Sequence, residues 1–381
     1  MRLTHFAGKA LTTVSLGAAV IAATATPASG LSVSPQGAPL FNGSVYAIAY
    51  RGSTVYVGGS FTSAVSGGHG YDRQRLAAFD ARTGALLSWA PAANATVRSL
   101  AVSGDSVYAA GDFGTISGRP RDSLARINAS DGRLGAFAHT LSGTAYRLAV
   151  GNGRLYLGGS FTAVDGFPRA NLAAFSLGSG ALDGRWQPRA DDSVHTIAVA
   201  GPRVYAGGAF HKVNDVSGTF RVAALSGTSG TVDRGFLPRP QAQVNGIATD
   251  AAGVYLATGG RGGRVLAYTT TGALRWQRVF DGDASSVATL NGITYVGGHF
   301  DASCLTLNNG AHGACTDGSV PRIKLAAINA TTGALTNWAP QANGVIGVRT
   351  LAVDPATHTV GAGGDFTQID NQPHLRYAAF H

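Results

Sequence analysis

The chain has 381 residues, a formal net charge of +9, 54 glycines, 26 arginines, only three lysines (Lys9, Lys212 and Lys324) and no glutamate. Glutamate and lysine are good helix formers and glycine is a poor one, so this composition excludes a mainly helical protein. The surplus of arginine leaves room for an acidic partner.

The first element is an export signal. Arg2 and Lys9 give a positive start, and ALTTVSLGAAVIAATA at 10–25 is apolar and small. A membrane span needs roughly 18 or more apolar residues, so residues 1–30 are read as a signal peptide. Cleavage follows Ala25 or falls a few residues later, before Leu31. No later stretch is long and apolar enough to span a bilayer. Losing Arg2 and Lys9 takes the formal charge from +9 to +7. The expectation is a secreted, soluble, monomeric protein, free outside the cell or held at its surface.

From residue 45 the chain repeats. VYVGGSFTSAV at 55–65 returns as LYLGGSFTAVD at 155–165, VYAGGAFHKVN at 204–214, TYVGGHFD at 294–301 and VGAGGDFTQID at 360–370, with looser copies at 107–117 and 254–260. Aligned on these copies, seven units begin near Val45, Val97, Ala145, Val194, Val244, Ala284 and Val348. Within a unit, VYAIAY at 45–50 precedes the VYVGG phrase. A longer loop then leads to RLAAFD at 75–80, and a Gly turn to a fourth segment with an aromatic, often before x-Pro (WAP at 89–91). Four strand-like segments divided by turn residues are an all-β repeat.

Unit seven ends at Phe380, after its third segment. SPQGAPLFNGSV at 34–45 offers the missing fourth, with Phe41 in the aromatic slot. Four-stranded antiparallel sheets joined through the two chain ends make a β-propeller, which leaves no open sheet edge. The expected fold is one seven-bladed β-propeller domain over 31–381. Gly58 and Gly59 are expected to allow close backbone approach, and Phe61, Phe113, Phe161, Phe210, Phe300 and Phe366 to fill the space between sheets.

The GGSFT phrase, the LAAFDxxTG turn and the period of about 50 residues resemble the delta-60 repeat family of bacterial secreted β-propeller proteins. The resemblance covers 45–381 and implies a propeller in an extracellular or surface setting. It implies no single activity and no catalytic residues. ARTGALLSW at 81–89 and ATTGALTNW at 330–338 also resemble quinoprotein-type propellers. That likeness implies pyrroloquinoline quinone with acidic ligands and often calcium, whereas this chain has no glutamate and no adjacent cysteine pair.

The long loops at 62–74, 114–122, 162–170, 211–220, 301–323 and 367–374 are expected on one face, where a rigid scaffold usually carries binding. Cys304 and Cys315, an even pair in an exported chain, are read as a disulfide in one of these loops. A short closed loop of this kind contributes about 2–3 kcal/mol of local order. Two rings are candidate binding residues. The first is basic: Arg73, Arg121, Arg169 and Arg322, three residues before the third segment's Leu. The second comes from the innermost strands: Tyr46, Arg98, Tyr146, His195, Asn245, Ser285 and Arg349. The second ring is expected at the mouth of the central channel, a mixed aromatic and polar concavity. A recurring arginine at a strand start also serves to join neighbouring units, so both readings stand.

No GxSxG elbow or HExxH zinc pattern is present, and a glycosidase pair would have to be two aspartates. The sequence therefore leans toward binding rather than catalysis, with no catalytic residue assigned. The expected partner is an extracellular glycan, an anionic cell-wall polymer or a protein. A hydrolase, lyase or quinoprotein-like oxidoreductase at the channel mouth is the alternative. Nucleic acid is not expected, because the charges are spread and the protein is exported. No cofactor is assigned; Asp165, Asp215 and Asp370 with Asn214 and Asn371 are possible calcium ligands, and the same residue types make ordinary turns.

Overall fold

A computed structural model describes Met1 and residues 30–381, so the expected export signal at 1–30 lies almost wholly outside the described residues. Among the described residues no helix is long and apolar enough to cross a membrane.

Each repeat builds three antiparallel strands. In the first unit these are Val45–Arg51, Thr54–Gly59 and Leu76–Asp80, hydrogen-bonded in that order. The first strands of the other units are Val97–Ser103, Leu141–Gly151, Val194–Ala200, Val244–Asp250, Ala284–Leu290 and Val348–Asp354. Among the described residues the protein is all-β, with one short 3-10 turn at Ala311–Gly313.

The fourth segment departs from the expected regular strand. It is a full strand only in unit five, at Leu274–Val279. In units one to four and in unit six it touches the third strand through one bridge, as in Phe79 with Leu86 and Phe175 with Leu182. Pro91, Pro188, Pro238 and Pro340 follow the aromatic in four units and remove the N–H that a ladder needs. Unit five has Trp276-Gln277-Arg278 instead. Unit two has no proline there and still stops at its bridge, Ile127 with Leu134, just before Gly135.

What the fourth segment does supply is its aromatic. Trp186 is fully buried, packs edge-on against Tyr156 at 5.0 Å and donates from Nε1 to the Ser226 carbonyl at 3.0 Å. Trp89 repeats this with Tyr56 and Asn128, and Trp276 with Tyr255 and Ala330. Each tryptophan thus reaches from its own sheet to the carbonyl end of the following one.

The double glycines sit where neighbouring atoms approach the backbone closely, as expected. A Cβ on Gly59 would overlap the Ser44 carbonyl oxygen, and a Cβ on Gly58 would lie 2.6 Å from Val97 Cγ1 of the next unit. Apolar side chains gather in seven buried clusters. Six lie between consecutive units, and the seventh joins Val45, Val57 and Phe79 of the first to Tyr377 and Ala379 of the last.

Residues 32–41 run beside the last strand, Tyr377–Phe380. Ser32 N–H donates to His381 O at 2.7 Å, Gln36 N–H to Ala379 O at 2.8 Å and Phe41 N–H to Leu375 O at 3.2 Å. Trp338 Nε1 donates to Ser32 O at 3.0 Å, as the other tryptophans do to the unit ahead of them. Phe41, however, does not take the aromatic slot. Counted back from Val45, it falls at the place of Ala93 rather than Trp89, and its ring sits 4.6 Å from Phe61 in a different cluster. Gly37 and Ala38 occupy the slot, against Gly84. The space is shared out differently because Gly361 replaces the tyrosine of the other units. Tyr50 packs against it and meets the Tyr377 hydroxyl at 3.3 Å.

Candidate functional site

All seven first strands carry a bulge at the same place. Val45 pairs with Gly59 and Ala47 with Gly58, leaving Tyr46 unpaired between them. The same register shift leaves out Arg98, Tyr146, His195, Asn245, Ser285 and Arg349. A bulge turns its extra residue out of the pleat and is often found beside functional sites. These seven residues are the second ring expected from the sequence. They line one cavity of about 420 Å³, together with Arg147 and Ile346.

The cavity is basic and aromatic. Arg349 lies over the Tyr46 ring at 5.1 Å and Arg98 over the Tyr146 ring at 5.9 Å. Arg98 Nε donates to Asp112 Oδ1 at 2.7 Å, and this bond raises its pKa above the ordinary arginine value. Tyr146 meets His195 edge-on at 5.9 Å, and His195 Nε2 lies 3.1 Å from Ser193 Oγ. Asn245 Nδ2 donates to the Ala284 carbonyl at 3.1 Å. No carboxylate is among the nine lining residues.

Arg147 and Ile346 were not in the expected ring. Ile346 comes from the connector before the last unit. Arg147 holds the third position of its unit, where the other units have Ala47, Ser99, Thr196, Gly246, Ser286 and Thr350. Its size and charge against that row of small residues were a signal present in the sequence alignment of the units.

The basic ring is placed elsewhere. Arg73, Arg121, Arg169 and Arg322 each donate from one terminal nitrogen to the carbonyl of the residue before. From the other they donate to a carbonyl fourteen residues on: Leu87, Gly135, Asp183 and Thr336, at 2.8, 2.7, 3.3 and 2.7 Å. Burial lowers the pKa of all four. They tie the long loop to the fourth segment, whose broken ladder leaves those carbonyls in need of donors. These bonds stay within a single unit, so they are not the unit-to-unit join considered above, and none of the four lines the cavity.

The long loops are mostly hairpins, such as Ser63–Ser66 with His69–Asp72 and Ala302–Cys304 with Ser319–Pro321. Connectors between units bridge to them, Ala93 to Ile116 and Ala190 to Val213, which sets both on one face. Cys304 and Cys315 form the disulfide, with Cα atoms 5.1 Å apart. The candidate calcium residues serve as turns. Asp165 accepts from Thr140 N–H and lies 2.6 Å from His139 Nδ1; Asp370 accepts from Gln341 N–H and Asn214 from Arg189 N–H. Asp215 and Asn371 have left-handed backbone, φ 57° and 62°. Among the described residues no three histidine, cysteine or acidic groups come together in a way that would hold a metal ion.

No protein-family model and no curated protein matches the chain. Among solved structures it is similar to a computationally designed protein, Ika8, with 13% identity over 92% of this chain and 100% of that one, at a TM-score of 0.49. It is also similar to the WD40 β-propeller domain of Doa1, with 11% identity over 91% of this chain and 96% of that one, at a TM-score of 0.59. The fold is a β-propeller.

In this propeller His195 is the one histidine at the cavity. Burial lowers its pKa below the ordinary value, with Asp192 opposing, so it is neutral at pH 7. Below the ordinary histidine range it gains a charge beside Arg98, Arg147 and Arg349. Any anion held in this cavity is therefore expected to bind more tightly as pH falls through that lowered value. A sulfated oligosaccharide, whose own charge is constant there, measures this by titration calorimetry. His195→Asn is expected to flatten the profile. The sign for stability is opposite: the unfolded chain takes up the proton more readily, so His195 costs stability as pH falls below its unfolded pKa.

Proposed function

We propose that the protein is a secreted binding protein: a seven-bladed propeller of four-segment blades, closed by residues 31–41 in the last blade. It holds an anionic glycan or cell-wall polymer at the mouth of its channel. The observation that carries this reading is the cavity itself. Seven bulge residues converge there with Arg147, bringing three guanidinium groups, two tyrosines and a histidine together with no lining carboxylate. The seven apolar clusters and the hydrogen bonds from 32–41 to 375–381 support the blade count and the closure. The GGSFT and LAAFDxxTG phrases support membership of the delta-60 repeat family and, with residues 1–30, export; the disulfide is compatible with that compartment.

A hydrolytic site of the two-carboxylate kind finds no support here, since Asp112, the acid bonded to a lining residue, is committed to Arg98. The four loop arginines spend terminal nitrogens on backbone carbonyls, which supports placing the contact surface at the mouth.

The test is a screen of anionic polysaccharides and neutral glycans against the mature protein, with salt varied. Binding that weakens with salt is expected, because exposed charges are screened. Arg98→Ala and Arg349→Ala are each expected to weaken binding roughly tenfold or more, the size of a charged hydrogen bond, while thermal unfolding shifts by no more than a few degrees. Unchanged affinity in both variants would remove the mouth from the binding surface.

A further inference from the structure

Many of the arginines among the described residues have polar partners. Arg154 pairs with Asp183 and Arg203 with Asp233, each at 2.6 Å, and the loop arginines spend their terminal nitrogens on carbonyls. Arg147 is different. Its Nε is buried with no partner, and among the described residues its guanidinium makes neither a hydrogen bond nor an ion pair. Burial lowers its pKa, yet an arginine stays charged in any folded protein. Arg147 is half-buried, and a partly desolvated charge with no protein partner is costly, so native structures seldom keep one without a use.

Its position sharpens the point. At the same place in the strand Ser99 accepts the Leu148 N–H at 2.9 Å and Ser286 the Leu351 N–H at 3.0 Å, so small polar residues there join one unit to the next. Unit three gives up that join and puts a long cation into the cavity wall. Arg349, which lines the same cavity, also has a buried Nε without a partner and no carboxylate paired with it among the described residues. Two guanidinium groups therefore face one space of about 420 Å³ and lack a counter-charge.

We infer that Arg147 and Arg349 form a receptor for one carboxylate, that of a terminal acidic sugar entering the channel end-on. This deepens the function proposed above and rests on it. A guanidinium matches a carboxylate through two parallel hydrogen bonds. The volume is at the small end of ligand sites and suits a sugar terminus rather than the middle of a polymer. Tyr46, Tyr146, Asn245 and Ser285 around the rim offer aromatic surface and hydrogen-bonding groups for hydroxyls, which a bare inorganic anion would leave unused.

The experiment is calorimetric titration of the mature protein with glucuronate, glucose and inorganic phosphate, beside the anionic polysaccharide. Glucuronate is expected to bind, glucose not measurably and phosphate more weakly than glucuronate. Arg147→Gln is expected to lose glucuronate affinity roughly tenfold to hundredfold, and to melt at a higher temperature than wild type without ligand, because an unpaired charge is gone. Arg349→Gln, nearer the rim, is expected to lose affinity by a similar factor and decides the matter if Arg147→Gln does not fold. Unchanged glucuronate affinity in the folded variants overturns the inference. Phosphate binding as tight as glucuronate overturns the sugar assignment. If the polysaccharide binds and glucuronate does not, end-on capture falls while the binding function stands; if neither binds, both fall.

Discussion

Deleting residues 31–41 is expected to leave a protein without a cooperative thermal transition and prone to associate. The segment donates three main-chain hydrogen bonds to 375–381, accepts the Trp338 indole and carries Phe41, which is fully buried. Truncating a buried phenylalanine alone costs about 3–5 kcal/mol. Each lost hydrogen bond adds about 1 kcal/mol. The sum is a large part of the 5–15 kcal/mol that holds an ordinary domain together. The deletion also bares the edge of Tyr377–Phe380, and an open strand edge recruits other chains. Thermal melting with size-exclusion chromatography checks both effects. A synthetic peptide of residues 31–44, added in trans, is expected to restore the monomer. A deleted protein that melts within a few degrees of wild type would mean that the last sheet stands without its N-terminal partner.

Trp186→Ala is expected to be the most damaging single substitution at the joins between units, at about 3–5 kcal/mol. The indole has no exposed surface, stacks edge-on with Tyr156 and bonds the Ser226 carbonyl. It belongs to a cluster that spans units three and four, with Val194, Phe210 and Leu225. Removing it leaves a cavity at a join that the fourth segment, having no full ladder there, cannot close by pairing. Trp186→Phe keeps the aromatic contact and loses the indole donor, so it is expected to cost less than half as much. Urea unfolding measures both; a shift in midpoint at constant slope reads out stability alone. Equal losses in the two variants would assign the whole effect to the hydrogen bond.

The sequence made the frame readable because its repeats differ little: a Val, Tyr and double-glycine phrase recurs wherever a second strand is needed. It also picks out the seven residues that line one cavity, for they are the variable, polar position in an otherwise apolar strand. It did not reveal why they face the cavity. The bulge depends on which residue pairs across the ladder, and that is a property of two strands rather than one. The loop arginines were ambiguous for a similar reason. Their partners are backbone carbonyls, which leave no mark on the sequence, although the constant spacing of fourteen residues becomes plain once the bonds are seen. The aromatic character of Phe41 points to the slot, while its distance from Val45 puts it four residues past it. Arg147 stands one residue past the ring position, at a place where the other units carry small residues.

The bulges have a consequence for how such a protein changes over generations. A residue held outside the ladder contributes no main-chain pairing that depends on its identity. Tyr46, Arg98, Tyr146, His195, Asn245, Ser285 and Arg349 can therefore be exchanged one at a time while the strand beneath keeps its register. The repeat works as a constant framework with one variable letter per copy, all seven displayed around a single opening. Descendants of one gene can then diverge in what they recognise without first loosening what keeps them folded. A combinatorial library confined to these seven codons is expected to stay soluble while its binding preferences scatter.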